Sequence, residues 1–229
     1  MTGAVRIVVA DGHPLYRRGL TALLASHPGW TVVAQEDTGA DALDAVVRTQ
    51  PDLVVMDIDL PHPHAAETTR RIAAERPEAR ILVLTSGDDG EAMAELFRAG
   101  VRGCLPKTDD RGALVRAVTA VAQGDALLPA AAARHVLDGG PELTSREQEV
   151  LNLVAAGWGT ADISKVLVLD SVAVRAHVTA IVAKVGPGAA TVRAGEDGPA
   201  PTALGPTAPG RTPSPERPRR RGSRRGHRR

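Results

Sequence analysis

Residues 53–61 read Leu-Val-Val-Met-Asp-Ile-Asp-Leu-Pro, a short apolar run that ends at two acidic residues. An unbroken apolar run of this length is typical of a β-strand that is covered on both faces. Four similar runs occur elsewhere before residue 123. The predicted strands are Arg6–Ala10, Thr31–Ala34, Leu53–Met56, Ile81–Leu84 and Gly103–Leu105.

Stretches with helical apolar periodicity separate these strands. They are predicted as helices near Tyr16–Ala25, Ala40–Arg48, Ala66–Glu75, Glu91–Arg98 and Arg111–Ala122. Five strand–helix repeats with short connections predict an α/β domain over residues 1–123, built on a doubly wound five-stranded parallel sheet. Ligands of such sheets bind beyond the carboxyl ends of the strands, so the functional residues of this domain are expected there.

Residues 124–141 are rich in Gly, Pro and Ala and are predicted as a linker, in which 130–137 favours a short helix. Residues 142–186 contain three short helical patterns with tight joints. This organisation predicts a small all-α helix-turn-helix domain, a fold that binds DNA.

The helix boundaries in this second domain follow from capping residues. Thr144 with Glu147 three residues later predicts a capping box at the start of the first helix. The second helix is predicted over Thr160–Leu167, and Asp170 is the predicted N-cap of the third, Ser171–Val185.

The last part of the chain, residues 187–229, has a different composition. It contains eight Pro and seven Gly but no aromatic residue, which predicts a disordered tail. Its ten Arg and three acidic residues give a net charge of +7, whereas residues 1–186 carry −6. A basic end on an acidic remainder is typical of a segment that is attracted to nucleic acid.

Composition also indicates the compartment. No apolar run approaches the length of a membrane span, and the N-terminus lacks a signal-peptide pattern. Cys104 is the single cysteine, which excludes an internal disulfide. The sequence therefore predicts a soluble cytoplasmic protein with no membrane association.

Polar residues follow four of the predicted strands. Asp11, Asp57 and Thr85 come directly after the first, third and fourth strands, and Lys107 lies just past the fifth. The fold would bring them to one edge of the sheet, where they suit phosphoryl transfer to an aspartate. Asp57 would attack phosphorus, Lys107 and Thr85 would hold the phosphoryl oxygens, and Mg²⁺ would suit the oxygen ligands.

Two sets of motifs in a fixed order allow a family comparison. The stretches are Val9-Ala10-Asp11-Gly12-His13-Pro14, Val55-Met56-Asp57-Ile58-Asp59-Leu60-Pro61, Val83-Leu84-Thr85 and Leu105-Pro106-Lys107, followed by 143–151 and 176–184. Over roughly residues 5–186 the chain resembles bacterial response regulators of the NarL/FixJ type, which join a receiver domain to a LuxR-type helix-turn-helix. The resemblance implies a transcription regulator that is switched by phosphorylation, with a sensor histidine kinase as phosphoryl donor.

The resemblance also implies roles for single residues. Asp57 would be the phosphoacceptor, and Thr85 and Lys107 would sense the phosphoryl group. Asp11, Asp57 and the backbone carbonyl of Asp59 would form the Mg²⁺ site.

Three features depart from the family pattern. Gly12 stands where the family has a second acidic metal ligand, and Cys104 stands where it has a switching aromatic residue. Residues 61–66, Pro-His-Pro-His-Ala-Ala, replace the usual Gly-rich loop after the acceptor.

The third helix would lie in the major groove of double-stranded DNA. The residues predicted to bind DNA there are Arg175, Ala176, Thr179 and Lys184. Residues 142–186 carry a net charge of −1, so this domain alone is expected to bind DNA weakly and the basic tail could add attraction. The helix that supports dimers in the family is replaced by Pro187-Gly188 and the tail, which truncates the domain and leaves homodimer formation open.

Two alternatives remain. In the first, the protein is a phosphorylation-independent DNA-binding regulator whose receiver is a protein- or ligand-interaction module, an alternative that Gly12 and Cys104 favour. In the second, it is an enzyme, a phosphatase with an aspartate nucleophile, because Asp57-Ile58-Asp59 has the D-x-D spacing. That motif usually ends the first strand of its fold, whereas here it ends the third, so the sequence favours a non-enzymatic regulator.

Overall fold

The computed structural model describes residues 4–107, 110–137 and 142–187. The predicted disordered tail lies outside these residues apart from Pro187, and so does the end of the predicted linker, residues 138–141.

Five parallel strands form the sheet, in the order β2-β1-β3-β4-β5. The central strand β3 is buried along its whole length, which explains its unbroken apolar run. The predicted doubly wound sheet is therefore confirmed, and its strand order reverses between β1 and β3, where such folds bind ligands. The strands are β1 Val5–Ala10, β2 Trp30–Glu36, β3 Leu53–Asp57, β4 Arg80–Thr85 and β5 Gly103–Pro106.

Five helices connect and follow the strands. They pack on the sheet, and the buried side chains form two apolar clusters. One cluster includes Leu20, Leu24 and Val118. The other includes Ile72 and Phe97. The helices are α1 Pro14–Ala25, α2 Gly39–Thr49, α3 Ala65–Glu75, α4 Gly90–Ala99 and α5 Arg111–Gln123.

A sixth helix, α6 (Ala130–Leu137), lies within the segment that was predicted as a linker. It packs on α4, and it comes close to the backbone of α4 at Gly90. A Cβ atom at Gly90 would lie 2.6 Å from the carbonyl oxygen of Ala131 and 2.7 Å from Cδ2 of His135. Only glycine permits this approach, so α6 belongs to the packed body of the protein.

Three further helices follow: α7 Ser145–Ala155, α8 Thr160–Leu167 and α9 Ser171–Val185. The predicted capping box is present at the start of α7, and the Asp170 side chain accepts a hydrogen bond from the amide of Ala173 at the start of α9. The axes of α8 and α9 differ in direction by 106°, as in a helix-turn-helix.

The apolar core of these helices is continuous with that of the sheet domain. Val150, Ile163 and Ile181 belong to the same buried cluster as Phe97. Within the described residues no single helix is long and apolar enough to cross a membrane, although α8 and α9 taken as one bent pair meet the same criteria.

Candidate functional site

The four polar residues predicted to follow the strands meet at the carboxyl edge of the sheet. Asp11 and Asp57 are each only 1% exposed, and Thr85 is 3% exposed. The Nζ atom of Lys107 lies 2.9 Å from Oδ2 of Asp11 and 2.8 Å from Oδ2 of Asp57. Backbone hydrogen bonds fix this edge, since the amide of Lys107 donates to the carbonyl of Thr85 at 2.7 Å.

Lys107 is the cation that compensates the two buried carboxylates. Burial alone would lower the pKa of its ammonium group, but the hydrogen bonds and charges of Asp57 and Asp11 outweigh burial and raise that pKa. The ammonium also lies 4.5 Å from the ring centroid of Tyr16, an added cation–π contact. Lys107 therefore stays protonated and can bind an anionic oxygen.

The Thr85 hydroxyl is engaged locally. It donates to the carbonyl of Gly87 at 2.9 Å and accepts from the Gly87 amide at 3.1 Å. To donate a hydrogen bond to a group on Asp57, this hydroxyl would have to give up its donor bond to the Gly87 carbonyl.

The metal candidates do not all converge. Asp11, Asp57 and His13 offer ligand atoms within 4.8 Å of one another. The Asp59 side chain is exposed, and its amide donates to Oδ1 of Asp57 at 3.3 Å. Gly12 contributes no side-chain oxygen. Two buried carboxylates fit the oxygen chemistry of Mg²⁺, which binds through one or two carboxylates and keeps several waters.

The basic residues of the helix-turn-helix are paired within the protein. Among residues 142–187, each of the four cations lies within 3.2 Å of a carboxylate oxygen. The pairs are Arg146–Glu149 at 2.7 Å, Lys165–Asp162 at 3.2 Å, Arg175–Asp125 at 3.1 Å and Lys184–Glu147 at 2.6 Å.

Two of the DNA-binding candidates contact the segment that follows α5. Arg175 pairs with Asp125, and the Thr179 hydroxyl accepts a hydrogen bond of 3.0 Å from the amide of Ala126. Ala176, by contrast, is exposed. Both contacts engage side chains that the sequence predicts to bind DNA, and the Arg175 side chain is 42% exposed.

Comparisons with known proteins agree with the two domains. Residues 7–119 match the family described as response regulator receiver domain, and residues 141–189 match bacterial regulatory proteins of the luxR family. The DNA-binding transcriptional activator DevR/DosR of Mycobacterium tuberculosis is 33% identical over 192 residues, which cover 80% of this chain and 88% of that protein. The chain belongs to the LuxR-type response regulators.

Other response regulators have a comparable sequence identity to this chain. The transcriptional regulatory protein DegU of Brevibacillus brevis is 31% identical over 205 residues, or 79% of this chain and 87% of DegU. A crystal structure of a LuxR-family response regulator from Aurantimonas sp. covers 55% of this chain and 90% of its own, with 35% identity and a TM-score of 0.53. The protein is therefore a two-component response regulator with a LuxR-type DNA-binding domain, and its relatives are transcriptional regulators.

Two features of this response regulator were not identified as functional from the sequence. His13 belongs to one of the quoted motifs and has no predicted role, yet its ring contacts both buried carboxylates. Asp125 and Ala126 lie in the predicted linker, yet they contact α9. The only sequence signal for the His13 contacts is a histidine two residues after a strand-end aspartate. Nothing in the sequence indicates the contacts of Asp125 and Ala126 with α9.

Proposed function

We propose that this response regulator is a transcription regulator that is switched by phosphorylation of Asp57. The observation that carries the proposal is the placement of Lys107 Nζ 2.8 Å from a buried Asp57 carboxylate. A buried carboxylate next to an ammonium is poised to attack phosphorus while the cation binds a phosphoryl oxygen. The enzyme alternative has no such support, since the family is one of DNA-binding regulators.

The phosphoryl donor would be a sensor histidine kinase. A carboxylate oxygen of Asp57 forms a bond to phosphorus, the bond from phosphorus to the donor imidazole nitrogen breaks, and that nitrogen leaves with the electron pair. A cleft of about 930 Å³ beside His13, Tyr16 and Lys107 leaves room for the donor to approach. Bound Mg²⁺ would neutralise charge on the phosphoryl oxygens. Asp11 and Asp57 would hold the ion, with the backbone carbonyl of Asp59 as the further ligand.

The switch would act on α9. A phosphoryl group on Asp57 offers the Thr85 hydroxyl a stronger, charged acceptor than the Gly87 carbonyl. Movement of the loop before α4 is passed to α6, because Gly90 and Ala131 are in close contact. Release of Arg175 from Asp125 and of Thr179 from Ala126 would then free α9 for the major groove of double-stranded DNA, where Arg175, Ala176, Thr179 and Lys184 would make the contacts.

The remaining assignments follow from these partners. The protein would act in the cytoplasm, where DNA and the kinase domain are found. Homodimer formation would be compatible with a pair of DNA half-sites.

One observation favours the phosphorylation-independent alternative. Cys104, which replaces the aromatic residue of the family, is 3% exposed, and burial raises the pKa of its thiol to about 12. It acts as a small apolar core residue and cannot report the position of Thr85 as a swinging ring would. If this alternative holds, Asp57→Ala will bind DNA as the wild type does under phosphorylating conditions.

The proposal is tested by intact-protein mass after incubation with acetyl phosphate and Mg²⁺. Wild type should gain one phosphoryl group and Asp57→Ala none. Asp59→Ala serves as the matched control, because it removes the neighbouring exposed carboxylate and keeps the backbone carbonyl, so it should still be modified. An unmodified wild type, or a modified Asp57→Ala, would overturn the assignment.

A further inference from the structure

A cavity of about 360 Å³ lies between the sheet domain and the helix-turn-helix. Pockets that bind small molecules in proteins measure about 300–1,000 Å³, so this cavity has room for a small ligand only. Side chains from both domains line it, and we call it the interdomain cavity. Its apolar wall includes Cys104, Leu127, Val154, Ile163, Val174 and Val178.

The wall of the interdomain cavity offers few polar groups. The amide of Cys104 is used in a hydrogen bond of 3.2 Å to the carbonyl of Leu127, and Pro106 and Pro129 have no amide hydrogen. Among the described residues, every buried side-chain nitrogen or oxygen atom without a hydrogen-bond partner belongs to a residue outside this cavity. A cavity of this kind does not anchor water and favours an apolar occupant.

The cavity also lacks an uncompensated charge. Arg175 is the one charged side chain among the described residues that line it. Its guanidinium already pairs with the carboxylate of Asp125 at 3.1 Å. An anionic ligand would have to compete with Asp125 for this cation, so an uncharged ligand fits the site better.

One end of the cavity opens to solvent beside an aromatic ring. Trp158, Gly159 and Thr160 line this end and are all exposed, which gives a ligand a way in. Trp158 is 44% exposed, and its indole contacts no other aromatic ring in the part of the chain that the structure describes. Its ring is therefore free to stack on an aromatic ligand.

We propose that the interdomain cavity binds an uncharged aromatic molecule of one or two rings, between Cys104 of β5 and Val174 and Val178 of α9. The cavity shares no lining residue with the strand-end site of Asp57 and Lys107. Binding therefore does not depend on phosphorylation, and it adds a second input to the regulator.

The position of the cavity predicts what the ligand does. A molecule that contacts both walls binds while α9 keeps its contacts with the segment after α5. By mass action it stabilises the contacts of Arg175 with Asp125 and of Thr179 with Ala126. The ligand thus holds α9 against the sheet domain. Its opposition to phosphorylation rests on the proposed function, whereas its binding does not.

The test is isothermal titration calorimetry of the full chain with indole as the probe. Wild type should bind one indole per chain. Cys104→Phe and Val178→Phe add a ring to the cavity from opposite walls, and each should weaken binding by about tenfold or more. Circular dichroism confirms that the variants are folded. Val47→Phe is the matched control, because Val47 is 49% exposed on α2, and its affinity for indole should equal that of wild type.

Hydrogen–deuterium exchange then tests the effect on α9. Indole should slow exchange of the Ala126 amide and of the α9 amides in unphosphorylated wild type, but not in Cys104→Phe. No saturable binding below about 1 mM indole, or equal affinities for wild type and both folded cavity variants, would overturn the ligand site. Binding that leaves the exchange of Ala126 unchanged would overturn the coupling to α9. A wild type that acetyl phosphate fails to modify would refute the proposed function and leave the indole result intact.

Discussion

Lys107 determines the charge balance of the strand-end site. Two carboxylates that are each 1% exposed are tolerated because one ammonium lies within 2.9 Å of both. Buried charges of like sign without a partner cost several kcal/mol, so the same residue that would bind a phosphoryl group also keeps the resting site folded. The proposed function and the stability of the site therefore depend on the same side chain.

Replacement of Lys107 by methionine should lower the free energy of unfolding by about 3 kcal/mol at pH 7, because it leaves two buried carboxylates uncompensated. The folded pKa of Lys107 is raised above its ordinary value of 10.5, so its contribution is fully present below pH 10.5 and is lost as the pH rises through the folded pKa. Urea unfolding at pH 7 and pH 9 should thus show the same deficit.

Lys165→Met provides the control for this variant. Lys165 is exposed and pairs only with Asp162 on its own helix, so its loss should change the free energy of unfolding by less than about 0.5 kcal/mol. A Lys107→Met variant as stable as wild type would contradict this description of the site.

Helix α9 differs from an ordinary surface helix. The described residues on its solvent side include Val172, which is 64% exposed, and Ala176, and neither can form a hydrogen bond with a base edge. Its two cations are both used within the protein. While Arg175 is paired with Asp125, these two side chains can offer DNA only contact with a thymine methyl group.

The turn between α8 and α9 contains a strained residue. Val168 ends α8 with φ 53° and ψ 49°, the left-handed conformation, and it is 89% exposed. A branched side chain is unfavourable there by about 1–2 kcal/mol. Val168→Gly should therefore raise the free energy of unfolding by about 1 kcal/mol, measured by thermal or urea unfolding. Val166→Gly, within α8 itself, should lower it, and a Val168→Gly variant that is less stable than wild type would contradict the prediction.

Local signals predicted the elements well. The apolar run at 53–57 and the caps Thr144 and Asp170 act on neighbouring residues, so they can be read from the sequence. The α4–α6 contact depends on the absence of a side chain at Gly90, because residues from far along the chain occupy the space where a side chain would lie. The same limit applies to the candidate site. Fold topology was enough to predict that the four polar strand-end residues, Asp11, Asp57, Thr85 and Lys107, lie together. The direction of the His13 ring and the contact between Arg175 and Asp125 depend on tertiary packing, so they could not be predicted from the sequence.

At the scale of the whole molecule, charge is divided between the described body and the C-terminal sequence. The four cations of the helix-turn-helix are all ion-paired within the described residues. Residues 217–229 alone contain eight arginines. Because phosphate neutralisation dominates DNA affinity, these arginines should supply most of the salt-dependent attraction.

Deletion of residues 217–229 should weaken binding to non-specific duplex DNA by about tenfold or more at low salt. It should also reduce the slope of log affinity against log salt by several units, since each phosphate contact contributes about 0.9. Fluorescence anisotropy between about 50 and 200 mM salt measures both quantities. A control of the same length with these arginines changed to glutamine should match the deletion. An unchanged slope would assign the affinity to the folded domain.

The continuous core from the sheet through α4 and α6 to α9 makes the two domains one packed body in the resting state. The central claim is that phosphorylation of Asp57 ends the contacts of α9 with Asp125 and Ala126. Hydrogen–deuterium exchange of the full chain, with and without acetyl phosphate and Mg²⁺, tests it without knowledge of a DNA site.

The amide of Ala126, which donates to Thr179, and the amides of α9 should exchange faster after phosphorylation of wild type and remain unchanged in Asp57→Ala. Unchanged protection of Ala126 and α9 in a sample that mass measurement shows to be fully phosphorylated would contradict the account.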